Sequence, residues 1–210
     1  MTVLTDAACA FFDDLAADNS PDFWAANKAR FEHDVKAPFA GLLAALVPEF
    51  GPFKTFRLHR DTRFSADKAP LKTMHGAVAR TCGLRYLHID REGLLLVCGA
   101  YAFERDSLAA WRNAVADEAR GAALADVLGA LTEAGIDFAP GGIPPLSGTP
   151  RGLAADHPRI DLLRWKGCMA PRRVPRATLP GQSLSGAAGA FWQATVGLHT
   201  WLATNMRPAS

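Results

Sequence analysis

The stretch LRYLHIDREGLLLVCGAYAF, residues 84–103, decides the architecture. Two runs rich in apolar residues flank Arg91-Glu92-Gly93, and Gly93 is the residue able to take the positive φ that a tight turn demands. The reading is a β-hairpin, and with it an antiparallel sheet. Cys98 lies inside the apolar run and is expected to be a small core hydrophobe. Upstream, KTFRLHR (54–60) alternates, with Phe56 and Leu58 on one face and Thr55, Arg57 and His59 on the other, as a third strand does.

On both sides of this region the period is helical. Ala8, Phe12 and Leu15 mark the inner face of a helix over about 5–17. NSPDFW starts a second, with Ser20 as N-cap, Pro21 at the first helical position and Asp22 favourable to the dipole. Trp24, Phe31 and Val35 continue its face, Pro38 should end or kink it, and Leu42, Leu43 and Leu46 extend the pattern to Pro48. After Asp106 the face is Leu108, Trp111 and Val115, then Leu124, Val127, Leu128 and Leu131, stopped by Gly135. Residues 136–153 are rich in Gly and Pro and read as loop, with 140–152 the one candidate hinge. DHPRIDLLRWKG (156–167) reads as a short helix capped by Asp156 and ended by Gly167. CMAPRRVP (168–175) reads as an edge strand because of its prolines. A last helix from near Ser185 presents Phe191, Thr195, Leu198 and Leu202 to the core. The expectation is a single α+β domain, its antiparallel sheet covered by N-terminal, middle and C-terminal helices.

Composition agrees with a globular chain: of 210 residues about half are hydrophobic and a fifth charged. Cys9, Cys82, Cys98 and Cys168 form no Cys-x-x-Cys pair, so neither a zinc site nor a disulfide framework is expected. The six histidines have no ligand spacing, and no metal is expected. The first residues lack the basic segment of a signal peptide, and no apolar run approaches the roughly 18 residues that cross a bilayer. The expectation is a cytoplasmic protein with no membrane partner. The triplet His59-Arg60-Asp61 resembles a kinase catalytic loop, but Ala66 stands where that loop needs Asn. No Walker loop, dinucleotide fingerprint, nucleophile elbow or His-Glu-x-x-His is present.

Charge is more informative in its distribution than in its total of +2. Residues 53–75 carry a local +4 and residues 150–176 a local +5, so the remainder is acidic. Two basic segments focus a positive field if the fold brings them together, and are solvated surface if it does not. In RLHRDTRFSADKAPLKT (57–73), Arg57, Arg60, Arg63, Lys68 and Lys72 supply the forks and point charges that capture carboxylate or phosphate. Asp61 and Asp67 equally suit a loop fixed by its own ion pairs, with Phe64 packing it down. In the second segment, His157 precedes a helix and Arg151, Arg159, Arg164 and Lys166 surround it.

These two blocks, preceded by FFDDLAADNSPDFWAANKARFEHDVKAPF, resemble an uncharacterised family, domain of unknown function 2461. The resemblance runs from about residue 5 to 205. It rests on Arg60, Asp61, Arg63, Phe64, Ser65, Asp67, Lys68, Pro70, Lys72 and Thr73 in the first block. In the second it rests on Arg151, Gly152, Asp156, His157, Pro158, Leu163, Arg164 and Lys166. The chain departs from the pattern at Leu71, where Tyr is typical, at Leu58-His59, where Ile-Tyr is, and at Ser147-Gly148, where Leu-Lys is. The resemblance implies one α+β domain and two linked blocks, but no activity and no cofactor.

The sequence therefore supports a binder of an anionic small molecule, or an enzyme acting on one. Its ligand contacts would come from Arg57, Arg60, Arg63, Ser65, Lys68, Lys72, Arg151, Arg164 and Lys166. Asp61 or Asp67 with His157 are the acid–base candidates, since a His beside a carboxylate titrates near neutrality. The alternatives are a nucleic-acid-binding module, for which only Phe64 and Trp165 offer stacking rings, and a structural protein held by a salt-bridged loop.

Overall fold

A computed structural model describes residues 4–60, 69–79 and 84–206. Helix α1 (Asp6–Ala17) starts at Thr5, whose side chain accepts from the Ala7 N–H, and buries Ala8, Phe11, Phe12 and Leu15. Helix α2 (Pro21–Arg30) starts as expected, with Ser20 accepting from Phe23 and Pro21 opening the first turn. The helix does not stop at Pro38. It passes through a π-helical turn, Phe31–Lys36, into α3 (Ala37–Phe50). Proline has no N–H and its ring crowds the carbonyl four residues back. The wider turn opens the ladder there: the Ala37 N–H donates to Glu32, five residues back.

A five-stranded antiparallel sheet follows, in the order β1 (Phe53–Thr55), β2 (Met74–Ala79), β3 (Arg85–Asp90), β4 (Gly93–Ala100) and β5 (Cys168–Pro175). The α+β class is thus the fold. The hairpin of residues 84–103 is β3–β4, and Gly93 has φ +122°. The proline-bearing β5 lies at an edge. Two strand expectations need correction. The strand expected over 54–60 is regular only to Thr55, and a single bridge between His59 and Leu71 continues it. Strand β2 was not expected at all: MHGAVA offers one β-branched residue among small ones, yet it pairs with both β1 and β3.

The remaining elements are α4 (Arg105–Ala116), α5 (Glu118–Glu133), α6 (Ile160–Arg164), α7 (Leu184–Ala194) and α8 (Val196–Asn205). The helical pattern after Asp106 is two helices, because Asp117 leaves the helical region and its carboxylate accepts the Arg120 N–H to start α5. The last pattern breaks at Thr195, but Phe191, Thr195, Leu198 and Leu202 are all buried as expected.

By compactness the chain divides into two units, Met1–Leu96 with Arg173–Ala190, and Val97–Arg172 with Phe191–Ser210. The boundaries fall inside β4, β5 and α7. They do not fall at the Gly/Pro stretch 140–152, which lies within the second unit. In the first unit, one face of the sheet (Ala77, Leu87, Ile89) and the helices (Phe11, Phe12, Val35, Phe39) supply the buried core. The second has its own core around Trp111, Leu124, Leu163, Phe191, Leu198 and Leu202. No helix among the described residues is long and apolar enough to cross a membrane.

Candidate functional site

In the first unit, the strip between β1 and β2 is held in place without regular sheet. The Phe56 N–H donates to Gly76 at 2.9 Å, Lys72 to Leu58 at 2.8 Å and Arg60 to Pro70 at 2.8 Å. These bonds carry the two arms of the first basic block side by side. Asn19, in the link between α1 and α2, then clamps one arm: its amide donates to the Leu71 carbonyl at 3.0 Å and its oxygen accepts the Leu71 N–H at 3.1 Å. Leu71, which stands where the pattern has Tyr, is 1% exposed, so it fills core that an aromatic hydroxyl would have to share.

A cleft of about 460 Å³ opens between this strip and the π-helical turn. Trp24, Phe31, Phe39, Phe56 and Leu58 give it apolar and aromatic walls. Its polar lining is Glu32, Lys36, Arg57, His59 and His75. Lys36 is paired with Glu32 at 2.8 Å, whereas Arg57 is exposed and forms no ion pair among the described residues. The Lys72 ammonium lies 5.6 Å from the centre of the Phe56 ring, beside the cleft rather than in its lining. His59 meets Trp24 edge-on at 5.6 Å.

His75 is the most constrained member. Strand alternation turns it to the helix side of β2, where Phe31 (5.5 Å) and Phe39 (5.0 Å) both meet its ring edge-on. It is 6% exposed, and its Nδ1 is buried with no hydrogen-bond partner among the described residues. Burial, reinforced by the positive charges of Lys36 and Lys72 and opposed by Glu32, pulls its pKa down to about 4. At neutral pH it is an uncharged imidazole able to give or take one hydrogen bond at the cleft wall. A buried polar atom without a partner costs roughly 1–3 kcal/mol, a cost that a hydrogen bond from a water or a ligand would offset.

Of the residues expected to bind ligand, the structure thus brings Arg57 to the cleft, while Lys72 rests on the Phe56 ring and Arg60 lies in the adjoining strip. Asp61, Arg63, Ser65, Asp67 and Lys68, with Phe64 and Cys82, lie outside the described residues. Trp24, Lys36 and His75 escaped the sequence reading as site residues, since an aromatic on a helical face reads as core and a lone His carries no motif. A π turn leaves no pattern to find except the proline that follows it.

The second block belongs to the second unit and behaves as a strap. Asp156 is exposed and caps nothing: the helix begins only at Ile160, with Arg159 at its N-cap position. The expected helix is one turn long, too short to present an anion site at its N-terminus. His157 Nδ1 accepts the Arg159 N–H at 3.0 Å, so that nitrogen is committed to the local turn. Arg159 itself closes the end of α4, donating to the carbonyls of Val115 (2.7 Å) and Asp117 (3.0 Å). Trp111 donates to the Leu162 carbonyl at 2.8 Å, and Arg164 pairs with Asp161 at 3.0 Å. Arg151 is exposed, Lys166 is half-buried with its carbonyl accepting from Phe103, and Trp165 is half-buried beside Phe138.

A family model described as a conserved hypothetical protein, DUF2461, matches residues 7–201 of the chain. The chain belongs to this family. In this DUF2461 protein the matched range takes in the π turn, the cleft and the strap alike. No curated protein and no solved structure matches it.

Proposed function

We propose that this DUF2461 protein binds a small anionic ligand, bearing phosphate or carboxylate, in the cleft between the π-helical turn and the Phe56–His59 strip. The observation that carries this is the meeting, in one 460 Å³ cleft, of aromatic walls, an arginine with no ion pair among the described residues and a neutral histidine whose buried nitrogen has no partner among them. Small-molecule sites have this composition: mostly apolar lining with a few convergent polar groups. Arg57 and Lys72 hold the anion, the rings of Trp24 and Phe56 flank the body of the ligand, and His75 reads a polar group on it. Arg60, Arg63, Ser65 and Lys68 enter this reading as further contacts on sequence grounds. The residues of the second block, Arg151, Arg164 and Lys166, are not assigned to the cleft, and His157 is not assigned a proton-transfer role.

The test is a thermal-shift screen of inorganic phosphate, nucleotides and small carboxylates. A compound that raises the melting temperature should lose its effect in Arg57→Ala and in Lys72→Ala, and keep it in Arg151→Ala. A screen in which no anion shifts the transition, or a shift that survives Arg57→Ala, overturns the reading.

A further inference from the structure

The opposite face of β3 carries a second constellation. Alternation along the strand sets Tyr86, His88 and Asp90 on one side. The Tyr86 hydroxyl lies 2.9 Å from His88 Nδ1, and His88 Nε2 lies 2.9 Å from Asp90 Oδ2. Arg173 on β5 donates to Asp90 Oδ1 at 2.7 Å, and the Glu92 N–H reaches the same oxygen at 2.8 Å. Burial works against the Asp90 charge, but the hydrogen bonds from His88, Arg173 and Glu92 outweigh it and hold its pKa at about 2. A carboxylate only accepts, so the proton between His88 and Asp90 sits on Nε2. A singly protonated ring of this tautomer offers Nδ1 as an acceptor to the Tyr86 hydroxyl, which also lies 3.3 Å from Met74 Sδ as an alternative acceptor. Arg173 thus holds the carboxylate that faces His88.

That order is a hydroxyl, a base within reach of its proton, and a carboxylate that orients the base. It is the arrangement by which enzymes activate a hydroxyl nucleophile. We propose that Tyr86 is a nucleophilic hydroxyl, assisted by His88 and Asp90, toward an ester-type electrophile carrying a phosphoryl or acyl group. In the step, Tyr86 Oη forms a bond to phosphorus or to the carbonyl carbon, and the bond from that atom to its leaving group breaks. The Tyr86 proton passes to His88 Nδ1, the imidazolium is stabilised by Asp90, and His88 then returns the proton to the departing group. Burial raises the Tyr86 pKa to about 12, with the Asp90 charge adding to it. The resting group is therefore the phenol, and the base acts during attack.

Two further observations favour a working site over a purely structural network. Gly76 pairs with His88 across the β2–β3 ladder, and a Cβ there would come within 2.9 Å of Tyr86 Oη. The missing side chain is what leaves the hydroxyl its place. The Tyr86 ring also stands 6.1 Å from Phe56, the ring on which the Lys72 ammonium rests. A cation able to hold an anionic electrophile is one ring away.

The chain contains only two tyrosines, and Tyr101, 64% exposed, is an internal reference. The full chain is treated with benzenesulfonyl fluoride and the modified residues are mapped and timed by peptide mass spectrometry. Half-buried Tyr86 should be modified faster than Tyr101. His88→Gln should slow Tyr86 by about 100-fold, the ordinary worth of a positioned base, and leave the Tyr101 rate unchanged. Asp90→Asn should slow it as well. Faster modification of Tyr101 in the wild type, a comparison that needs no variant to fold, overturns the proposal. So does an unaltered Tyr86 rate in a folded Asp90→Asn protein.

Discussion

Replacing His75 by Phe removes a group that the fold holds neutral, and the consequence depends on pH in a calculable way. The imidazole titrates at about 4 in the folded protein against 6.5 for an unperturbed histidine. Between these values the unfolded chain binds the proton and the folded chain does not, so stability falls as pH falls. The stabilisation is whole above the unfolded value, erodes from about pH 6.5 downward and levels off below about pH 4. Each unit of separation is worth about 1.4 kcal/mol. The wild type therefore loses about 2 kcal/mol from this one group by pH 5 and about 3 kcal/mol by pH 4. His75→Phe keeps a ring of similar size between Phe31 and Phe39 and loses none of it. Urea unfolding of both proteins from pH 7 to pH 4 reads the difference directly, because the other titrating groups are shared and cancel. The variant should gain on the wild type by about 3 kcal/mol over that range. Parallel curves would refute the argument, since they would mean that His75 is protonated as easily in the fold as outside it.

Three other outcomes follow from the geometry. Asp90, held at about pKa 2 against 3.8, stabilises the fold above its unfolded value and loses that as pH drops from 4 to 2; Asp90→Asn should thus cost about 2 kcal/mol at pH 7, and acid titration of both proteins should show the gap closing over that window. Arg159→Met takes two charge-assisted bonds from the Val115 and Asp117 carbonyls and should cost about 2–3 kcal/mol in denaturant unfolding, with a cost below 0.5 kcal/mol counting against its role as a strap. Gly93→Ala would drive a Cβ into the Val174 carbonyl oxygen at φ +122°, and its melting temperature should fall by several degrees if the β3–β4 turn is as tight as described.

Elements with a local cause were legible in the sequence. Ser20-Pro21 starts a helix by capping chemistry, and Gly93 turns a hairpin by its freedom of φ. The period of Phe191, Thr195, Leu198 and Leu202 survives even a break in the helix. Elements whose cause lies elsewhere in the chain were not. Strand β2 is small and weakly β-forming, and exists because β1 and β3 pair with it on both sides. Asp156 has the chemistry of a cap, but His157 and Arg159 spend the same residues on a tight turn and a bond to α4. The site was half legible for the same reason. A cluster of cations announces itself in one dimension, and Arg57, which lines the cleft, came from it. His75, Trp24 and Lys36 reach the cleft only through the pairing of β2 and the path of a helix beneath it.

The π-helical turn can also be seen as a change of phase. One residue more than an α-helix would use advances everything after it by about 100° around the axis. Residues 21–30 and 37–50 therefore present faces that no single period connects, and Phe31 and Phe39 come to bear on the same imidazole from either side of the step. Deleting one residue between 32 and 36 would leave the composition almost untouched and the helix more regular. It would also swing Phe39 away from His75, so the cleft depends on the length of this turn as much as on the side chains that the turn contributes.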